Sequence, residues 1–260
     1  MRSLRGGIDR PALRELASSP VFAARVHDLL RRVADVSEVS DALDLLGRTG
    51  RRLGASSCCF VSFVRDDGSC AAYRMLLACD PRWGTEYLTN NWFETDPWLS
   101  YALHAEEPVL ASALSPETEP ERAMVRSAAE YGFRSVLIAP APSAAGASRV
   151  GVLYVGSDVD GYYEGDGYRQ IRPLAQALAM ALHACWMRTL RRELLGRTRI
   201  TQDDLVLLRH EANGHGSKVI AAELGTEAKT IDCRFQRLNA KLGAPSRRAA
   251  VRIARLYGLL

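Results

Sequence analysis

Apolar residues recur at helical spacing in the N-terminal part of the chain. Ser19-Pro20 is able to cap and begin a helix, and the apolar face that follows it comprises Phe22, Val26, Leu29, Leu30 and Val33. A second apolar stripe follows a predicted N-cap at Ser40, and its members are Val39, Leu43, Leu46, Gly50 and Leu53. The pattern therefore predicts two amphipathic helices, the second ending near Gly54.

Short apolar runs replace the helical pattern after residue 55 and favour β-strands. The runs at 56–66 and 70–78 flank Asp66-Asp67-Gly68, which is typical of a hairpin turn. Two further runs, at 133–140 and 148–156, are joined by a loop of small residues. Because a short loop connects each pair, we expect an antiparallel sheet of at least four strands.

Helical patterns return around these strands. One helix is predicted from an N-cap at Ser115 to Tyr131, and a longer one over residues 167–195 with a kink at Pro173. Helices on both sides of an antiparallel sheet predict an α+β fold with an N-terminal α-β-α sandwich. We assign residues 1–185 to this domain.

The C-terminal part of the chain carries no strand pattern. Residues 186–199 form a basic, amphipathic stretch that we interpret as a linker. Short helices separated by glycines are predicted after it, over residues 201–213, 218–224, 228–242 and 246–257. These four helices predict a second, all-α domain over residues 200–260.

Length and composition bound the chain to one large or two ordinary soluble domains and reveal a charge asymmetry. The 260 residues are 47% apolar and 25% charged, which excludes disordered and collagen-like classes. Residues 1–185 hold 19 arginines, no lysine and 23 acids, a net charge of −4, whereas residues 186–260 hold 15 basic and 7 acidic residues, a net charge of +8. Concentrated positive charge is typical of nucleic-acid binding, although a solvated basic face explains the charge alone equally well.

The sequence offers little for membranes, metals or catalysis. No apolar run approaches the roughly 20 residues of a membrane span, and the N-terminus lacks a signal-peptide pattern, so we expect a cytoplasmic protein with no membrane partner. The six cysteines lack zinc spacing and the five histidines occur singly, so no metal or cofactor is expected. Known phosphate-binding and hydrolase motifs are missing as well, and we therefore predict no enzyme activity.

The two middle helices of the tail predict a helix-turn-helix across a turn at Gly225-Thr226-Glu227. Their inward residues are Ile220, Ala221, Leu224, Ile231, Phe235, Leu238 and Leu242. The opposite face of the second helix would read bases in the major groove, with Lys229, Asp232, Cys233, Gln236 and Arg237. Phosphate contacts are predicted for Ser217, Lys218, Thr230, Arg234, Lys241, Arg247 and Arg248. The alternative is a plain helical bundle with a basic rim.

The tail also resembles the DNA-binding domain of LuxR-type transcription regulators. The matching residues are Thr201, Ile220-Ala221, Thr230, Lys241-Leu242-Gly243, Ser246-Arg247 and Ala250-Val251. Asp232 and Gln236 stand at positions that are often basic in that family, so its operator sequence does not transfer. Because one short helix reads few base pairs, we expect a homodimer on palindromic double-stranded DNA, with the long helix and the last helix as dimer elements.

Residues 81–105 hold the densest set of aromatic residues in the chain. Trp83, Tyr87 and Asp96-Pro97 follow the spacing Trp-x3-Tyr-x8-Asp-Pro of the quorum-sensing branch of the LuxR family, and Trp98 lies beside them. The resemblance implies a domain that binds N-acyl-homoserine lactones. An indole N–H suits a lactone carbonyl and a buried carboxylate suits an amide N–H. The alternative is an aromatic mini-core in which Asp96 is a helix cap.

Four further pocket positions depart from that branch. Cys79 replaces a usual Tyr, Ala111 a second Trp, Val136 a Gly, and Tyr154 a Ser or Thr. A lactone would lose a lid and a donor, while Tyr154 and Trp98 add bulk. Three possibilities stay open: a lactone receptor, a receptor for another small molecule, and a regulator that acts without a ligand.

Two other classes of protein compete with a LuxR-type regulator. A response regulator would need a parallel βα receiver domain, which the antiparallel strand pairs oppose. An enzyme with Asp96 as general base would need a second catalytic group, for which His104 and Glu106-Glu107 are the candidates. We expect a LuxR-type transcription regulator controlled by a small-molecule signal.

Overall fold

The structure, a computed structural model, describes residues 12–36, 38–65, 71–143 and 149–260. The chain divides into two compact units, Met1–Cys185 and Trp186–Leu260. The predicted hairpin turn at 66–68 and most of the small-residue loop lie outside the described residues.

The first unit is built from helices around one sheet. Its helices are α1 (Leu13–Ser18), α2 (Phe22–Asp35), α3 (Val39–Arg52), α4 (Arg82–Thr89), α5 (Pro97–His104), α6 (Glu119–Glu130) and the first part of α7 (Tyr168–Thr198). Its strands are β1 (Ser57–Arg65), β2 (Ala71–Ala78), β3 (Val109–Leu110), β4 (Ser135–Ala141) and β5 (Arg149–Ser157). Short 3-10 helices lie at Trp92–Glu94 and Ala111–Ala113.

The five strands have the order β2-β1-β5-β4-β3, and every neighbouring pair is antiparallel. This confirms the antiparallel sheet and does not fit a parallel receiver domain. β3 was not predicted because two residues are too short to show an alternating pattern.

Helices cover the sheet on both faces, so β4 and β5 are buried along their whole length. On one face, α3 contacts β1 and β2, and a Cβ at Gly50 would lie 2.2 Å from the Sγ atom of Cys58, so this approach requires glycine. On the other face, α5 contacts β4 and β5. Alternate residues of the central strands, such as Cys59, Val152 and Tyr154, face a core that α4, α5 and α6 complete.

Several predicted helix details need correction. α3 begins at Val39, before the predicted cap at Ser40, and Val39 and Leu43 are exposed because its buried stripe runs through Leu45 and Leu46. α6 is capped by Thr118 instead of Ser115, since Thr118 forms a capping box with Glu121.

The stretch assigned to a linker is helical as well. α7 passes through Pro173 and continues to Thr198, so residues 186–198 are part of α7. Within the described part of the chain, none of the helices combines the length and the apolar character that crossing a membrane requires.

The second unit packs four helices around its own core. They are α8 (Gln202–Ala212), α9 (Ser217–Glu223), α10 (Ala228–Leu242) and α11 (Arg247–Leu256). The core residues include Leu208, Ile220, Ile231, Phe235, Leu238 and Ala250. Leu224, predicted to face inward, is 39% exposed because it lies at the C-cap of α9, where the helix has already ended.

Candidate functional site

Asp96 lies at the centre of the first candidate site and begins α5. Its Oδ1 atom accepts hydrogen bonds from the backbone N–H groups of Trp98 (2.8 Å) and Leu99 (3.1 Å). Pro97 occupies the first helical position, where the lack of an N–H group costs nothing. One carboxylate oxygen is therefore committed to capping the helix.

The other oxygen of Asp96 faces two tyrosines from different elements. Tyr87 of α4 donates its hydroxyl to Oδ2 at 2.8 Å, and Tyr154 of β5 donates to the same atom at 3.4 Å. Asp96 is 3% exposed. Four donors from the chain itself thus satisfy this buried carboxylate.

Aromatic rings pack around Asp96. The ring of Trp83 lies 5.6 Å from that of Tyr87, 5.5 Å from that of Trp92 and 6.0 Å from that of Phe133, and the ring of Trp98 lies 5.6 Å from that of Tyr154. We call these residues the Asp96 cluster: Trp83, Tyr87, Trp92, Asp96, Trp98, Phe133 and Tyr154. Each is at most 8% exposed, so the cluster is closed in this structure.

Burial sets the protonation of this cluster. It raises the pKa of Asp96 to about 6, although the hydrogen bonds from Tyr87, Leu99, Trp98 and Tyr154 favour the ionised form. Burial and the nearby Asp96 charge raise the pKa of Tyr154 well above its usual value. The Tyr154 hydroxyl therefore stays protonated and remains a donor to Asp96.

The four departing positions join the same core. Val136 is fully buried in it, and Cys79 and Ala111 are partly buried against it. The Cys79 thiol donates to the Asp80 carbonyl at 3.7 Å, and burial followed by the Asp80 charge raises its pKa to about 12. Cys79 is therefore a neutral thiol rather than a nucleophile. All eight predicted ligand residues thus belong to this core, pack against it or, as Asp96 does, bond to its members.

Sequence reasoning missed Glu86 and Phe133 as parts of this site. Glu86 of α4 accepts hydrogen bonds from the hydroxyls of Ser127 (2.6 Å) and Tyr131 (2.5 Å), which ties α4 to the end of α6. Phe133 follows that helix end and packs on Trp83. The only signal in the sequence was the position of Phe133 directly after the predicted helix stop.

The residues proposed for an enzyme do not join Asp96. His104 is exposed and its Nδ1 atom contacts the Ser100 carbonyl at 2.9 Å, within α5. Glu107 pairs with Arg172 of α7. Among the described residues, neither belongs to the hydrogen-bond partners of Asp96.

The second candidate site is the outer face of α10. Its residues, which we call the α10 outer face, are all exposed: Lys229, Asp232, Cys233, Gln236, Arg237 and Ala240. Ile231, Phe235 and Leu238 are buried on the opposite side, as the helical period requires. Lys218 at the start of α9 is exposed as well, whereas Ser217, Thr230 and Arg234 are partly buried.

Asp232 and Arg247 are bonded to each other. The carboxylate of Asp232 accepts from Arg247 at 2.6 Å and from the Ser217 hydroxyl at 2.5 Å. The Arg247 guanidinium also stacks 4.1 Å above the ring of Phe235. The hydrogen bonds from Ser217 and Arg247 lower the pKa of Asp232. These contacts join the start of α9, the middle of α10 and the start of α11.

Lys241 also has a partner within the unit. Its Nζ atom lies 2.5 Å from Oδ2 of Asp204, which forms the capping box of α8 with Thr201. Burial alone would raise the pKa of Asp204, but the hydrogen bonds from Lys241 and Thr201 lower it. Four of the predicted DNA contacts, Ser217, Asp232, Lys241 and Arg247, thus make hydrogen bonds within the unit.

Comparisons with known proteins agree with this architecture. A family model described as the autoinducer binding domain matches residues 38–186. The transcriptional regulatory protein YdfI of Bacillus subtilis (strain 168) is 40% identical over 63 residues, which is 24% of this chain and 30% of that protein. The match therefore spans less than a third of that relative.

Solved structures share the fold. Escherichia coli SdiA superposes with a TM-score of 0.70 at 14% identity, over 92% of this chain and 98% of that chain. SdiA in complex with octanoyl-rac-glycerol gives the same TM-score and identity over 93% and 98%. CepR2 from Burkholderia cenocepacia, described as an N-acylhomoserine lactone dependent LuxR family transcription factor, gives a TM-score of 0.57 at 19% identity over 65% and 98%.

Proposed function

Because the chain belongs to the family of proteins with an autoinducer-binding domain, we propose that it is a LuxR-type transcription regulator under the control of a small-molecule signal. It binds double-stranded DNA as a homodimer in the cytoplasm. The family match covers residues 38–186, and the basic unit Trp186–Leu260 supplies the DNA-binding part.

The α10 outer face is the observation that carries the DNA-binding proposal. A short helix with a buried apolar side and an exposed side of Lys, Gln and Arg is suited to the major groove. Arg237 is able to read guanine and Gln236 adenine through paired hydrogen bonds. Lys218 contacts a phosphate, Lys229 lies on the base-reading side, and the bonds of Arg247 to Asp232 and Ser217 hold α9, α10 and α11 in register.

The Asp96 cluster is the proposed signal site, with an N-acyl-homoserine lactone as the first candidate ligand. CepR2, which shares the fold, is described as dependent on such a lactone. The Trp83 indole donates to the lactone carbonyl, and Asp96 accepts from the ligand amide. A ligand enclosed in this core stabilises the native unit by mass action and thereby raises the population that binds DNA.

The contacts of Asp96 favour a second candidate, a regulator that binds another ligand or acts without one. Tyr154 already donates to the oxygen that a ligand amide would use, and the cluster has almost no accessible surface. A lactone must therefore displace the Tyr154 hydroxyl. SdiA in complex with octanoyl-rac-glycerol offers a different ligand class for the same fold.

DNA binding is tested by selecting sites from random duplexes with the full chain. We expect one enriched sequence that the double variant Gln236→Ala, Arg237→Ala no longer distinguishes from other DNA. Arg209→Ala, which removes an exposed arginine of α8, is the matched control and keeps the preference. An unchanged footprint with the double variant would exclude α10 as the recognition helix.

Signal binding is tested by thermal unfolding of the protein without ligand and with a panel of ligands. The panel contains acyl- and aryl-homoserine lactones and octanoylglycerol. A raised midpoint with one lactone supports the first candidate, because only binding to the native state raises the midpoint. A shift with octanoylglycerol alone, or no shift in a protein that binds DNA, supports the second.

A further inference from the structure

Two histidines and a glutamate meet in the second unit, away from the residues given a role above. His210 belongs to the last turn of α8, His215 lies in the loop that follows, and Glu223 is the last residue of α9. The Nδ1 atoms of the two histidines lie 2.9 Å apart, and Nδ1 of His210 lies 3.3 Å from Oε2 of Glu223. All three ligand atoms lie within 4.8 Å of one another.

The backbone at the end of α8 fixes the two histidines in this position. Gly214 adopts a positive φ of 79°, the His215 N–H donates to the His210 carbonyl at 3.0 Å, and the Gly214 N–H donates to the Glu211 carbonyl at 3.0 Å. These two bonds form a Schellman motif, in which the residues at the positions of His210 and His215 usually make an apolar contact. Here two imidazoles occupy those positions, so the turn itself preorganises a pair of nitrogen ligands.

We propose that His210, His215 and Glu223 bind a divalent transition metal ion of the zinc class. Two imidazole nitrogens and one carboxylate oxygen are a donor set that Zn²⁺ accepts, with water as the fourth ligand. In a tetrahedron with metal–ligand distances near 2.1 Å, neighbouring ligand atoms are separated by about 3.4 Å. Two of the observed separations are 2.9 and 3.3 Å and the third is at most 4.8 Å, so rotations of the side chains bring the three atoms to this geometry.

The position of the three ligands gives the metal a structural role. The ion would fasten the C-terminal end of α8 to the end of α9, directly before the turn that leads to α10. Because the histidines converge only in the folded unit, the metal stabilises the folded form. This inference does not depend on whether the chain binds DNA or a signal molecule.

Metal binding is measured on the full chain, without a histidine tag and after removal of metals by a chelator. Zn²⁺ is titrated in competition with a chromophoric chelator, and Co²⁺ is titrated for the visible d–d absorption of a tetrahedral site. We expect a single equivalent to bind. His215→Ala should lower the affinity by at least the roughly 10–100-fold that loss of a supporting residue costs. Glu223→Gln, which alters an exposed side chain and keeps its shape, should also weaken binding.

Two control variants separate this site from adventitious binding. His27→Ala removes an exposed histidine of α2, and Cys233→Ser removes the exposed thiol of α10. Both should leave the affinity and the Co²⁺ spectrum unchanged. The proposal is overturned if the wild-type chain binds no equivalent of Zn²⁺ or Co²⁺. It is equally overturned if His215→Ala and Glu223→Gln bind as tightly as the wild type, or if Cys233→Ser abolishes the signal.

Discussion

At the scale of the residue, burial makes ionisation of the Asp96 carboxyl group cost free energy in the folded protein. Burial raises its pKa to about 6 from an ordinary value of 3.8, despite four hydrogen bonds that favour the charge. A group whose pKa is higher in the folded state binds protons more tightly there than in the unfolded chain. Its stabilising contribution is complete below about pH 4 and is lost as the pH rises through about 6.

Asp96→Asn should remove this pH dependence. Asn keeps an oxygen for the backbone N–H groups of Trp98 and Leu99 but does not ionise. Relative to this variant, the wild-type free energy of unfolding should fall by roughly 2 kcal/mol between about pH 4 and pH 7. The difference is measured by urea unfolding of both proteins at several pH values, monitored by the fluorescence of Trp83, Trp92 and Trp98.

Asp80→Asn is the control for this measurement. Hydrogen bonds from Arg82 lower the pKa of Asp80, so its contribution appears as the pH rises and has the opposite sign. Parallel pH profiles for the wild type and Asp96→Asn would show that Asp96 titrates alike in the folded and unfolded chain.

Tyr154→Ser should make the Asp96 cluster accessible to ligands. The change removes one donor to Asp96 and the ring that packs on Trp98, and loss of a buried aromatic side chain costs about 3–5 kcal/mol. We expect a lower midpoint of thermal unfolding without ligand and a larger rise on addition of a lactone than in the wild type. Tyr163→Ser removes another buried tyrosine, bonded to the Leu53 carbonyl, and should lower the midpoint without any gain in ligand response. Equal ligand shifts in both variants would mean that Tyr154 does not block the site.

At the scale of the element, the sequence predicted the features that repeat along the chain. The buried face of α10 follows from the helical period, as Ile231, Phe235 and Leu238 illustrate. The antiparallel strands follow from short apolar runs that short loops connect in pairs. Helix ends were less predictable because several nearby residues are able to cap. Ser115 and Thr118 both suit an N-cap, and the reciprocal bonds with Glu121 decide for Thr118.

Contacts that depend on a turn or on another element escaped the sequence analysis. His210 and His215 were interpreted as single residues, because only the positive φ of Gly214 brings their rings together. The ion pairs of Arg247 with Asp232 and of Lys241 with Asp204 were not predicted, because the partners lie on different helices and no sequence spacing connects them. Both basic residues were therefore assigned to phosphates. Trp83, Tyr87 and Asp96 were predicted because their spacing matches a family pattern, whereas no pattern connects Phe133 to the Asp96 cluster.

Lys218→Ala should reduce the salt dependence of DNA binding, which tests the role of α9. Loss of one phosphate contact lowers the slope of log K against log salt by about 1 and weakens binding to all sequences alike. Lys241→Ala is the matched control, since Lys241 is paired with Asp204. Its loss should lower the midpoint of thermal unfolding and leave the slope of log K against log salt unchanged. The assignment of Lys218 fails if its variant keeps the wild-type slope.

At the scale of the whole molecule, the two units carry net charges of opposite sign. The net charge is −4 over residues 1–185 and +8 over residues 186–260. In the proposed regulator, this asymmetry favours binding of DNA phosphates by the second unit over the acidic first unit. If α10 is the recognition helix as proposed, one copy would contact only a few base pairs, so specific binding would require two copies. A homodimer with two-fold symmetry must then recognise a site with the same symmetry.

The selected DNA site should therefore contain two inverted half-sites, with centres separated by about 10 base pairs or a multiple of that distance. Light scattering of the complex should give two chains for each duplex. Scrambling one half-site should lower the affinity by roughly 10²-fold or more. The second α10 then has no specific contacts, and the gain in affinity from two linked binding events is lost. Inserting half a helical turn between intact half-sites is the control, since it preserves the base sequence of both half-sites but rotates one of them away from its α10. A chain that saturates a single half-site with full affinity, or that tolerates the insertion, would show that the two copies of α10 do not act as one symmetric reader.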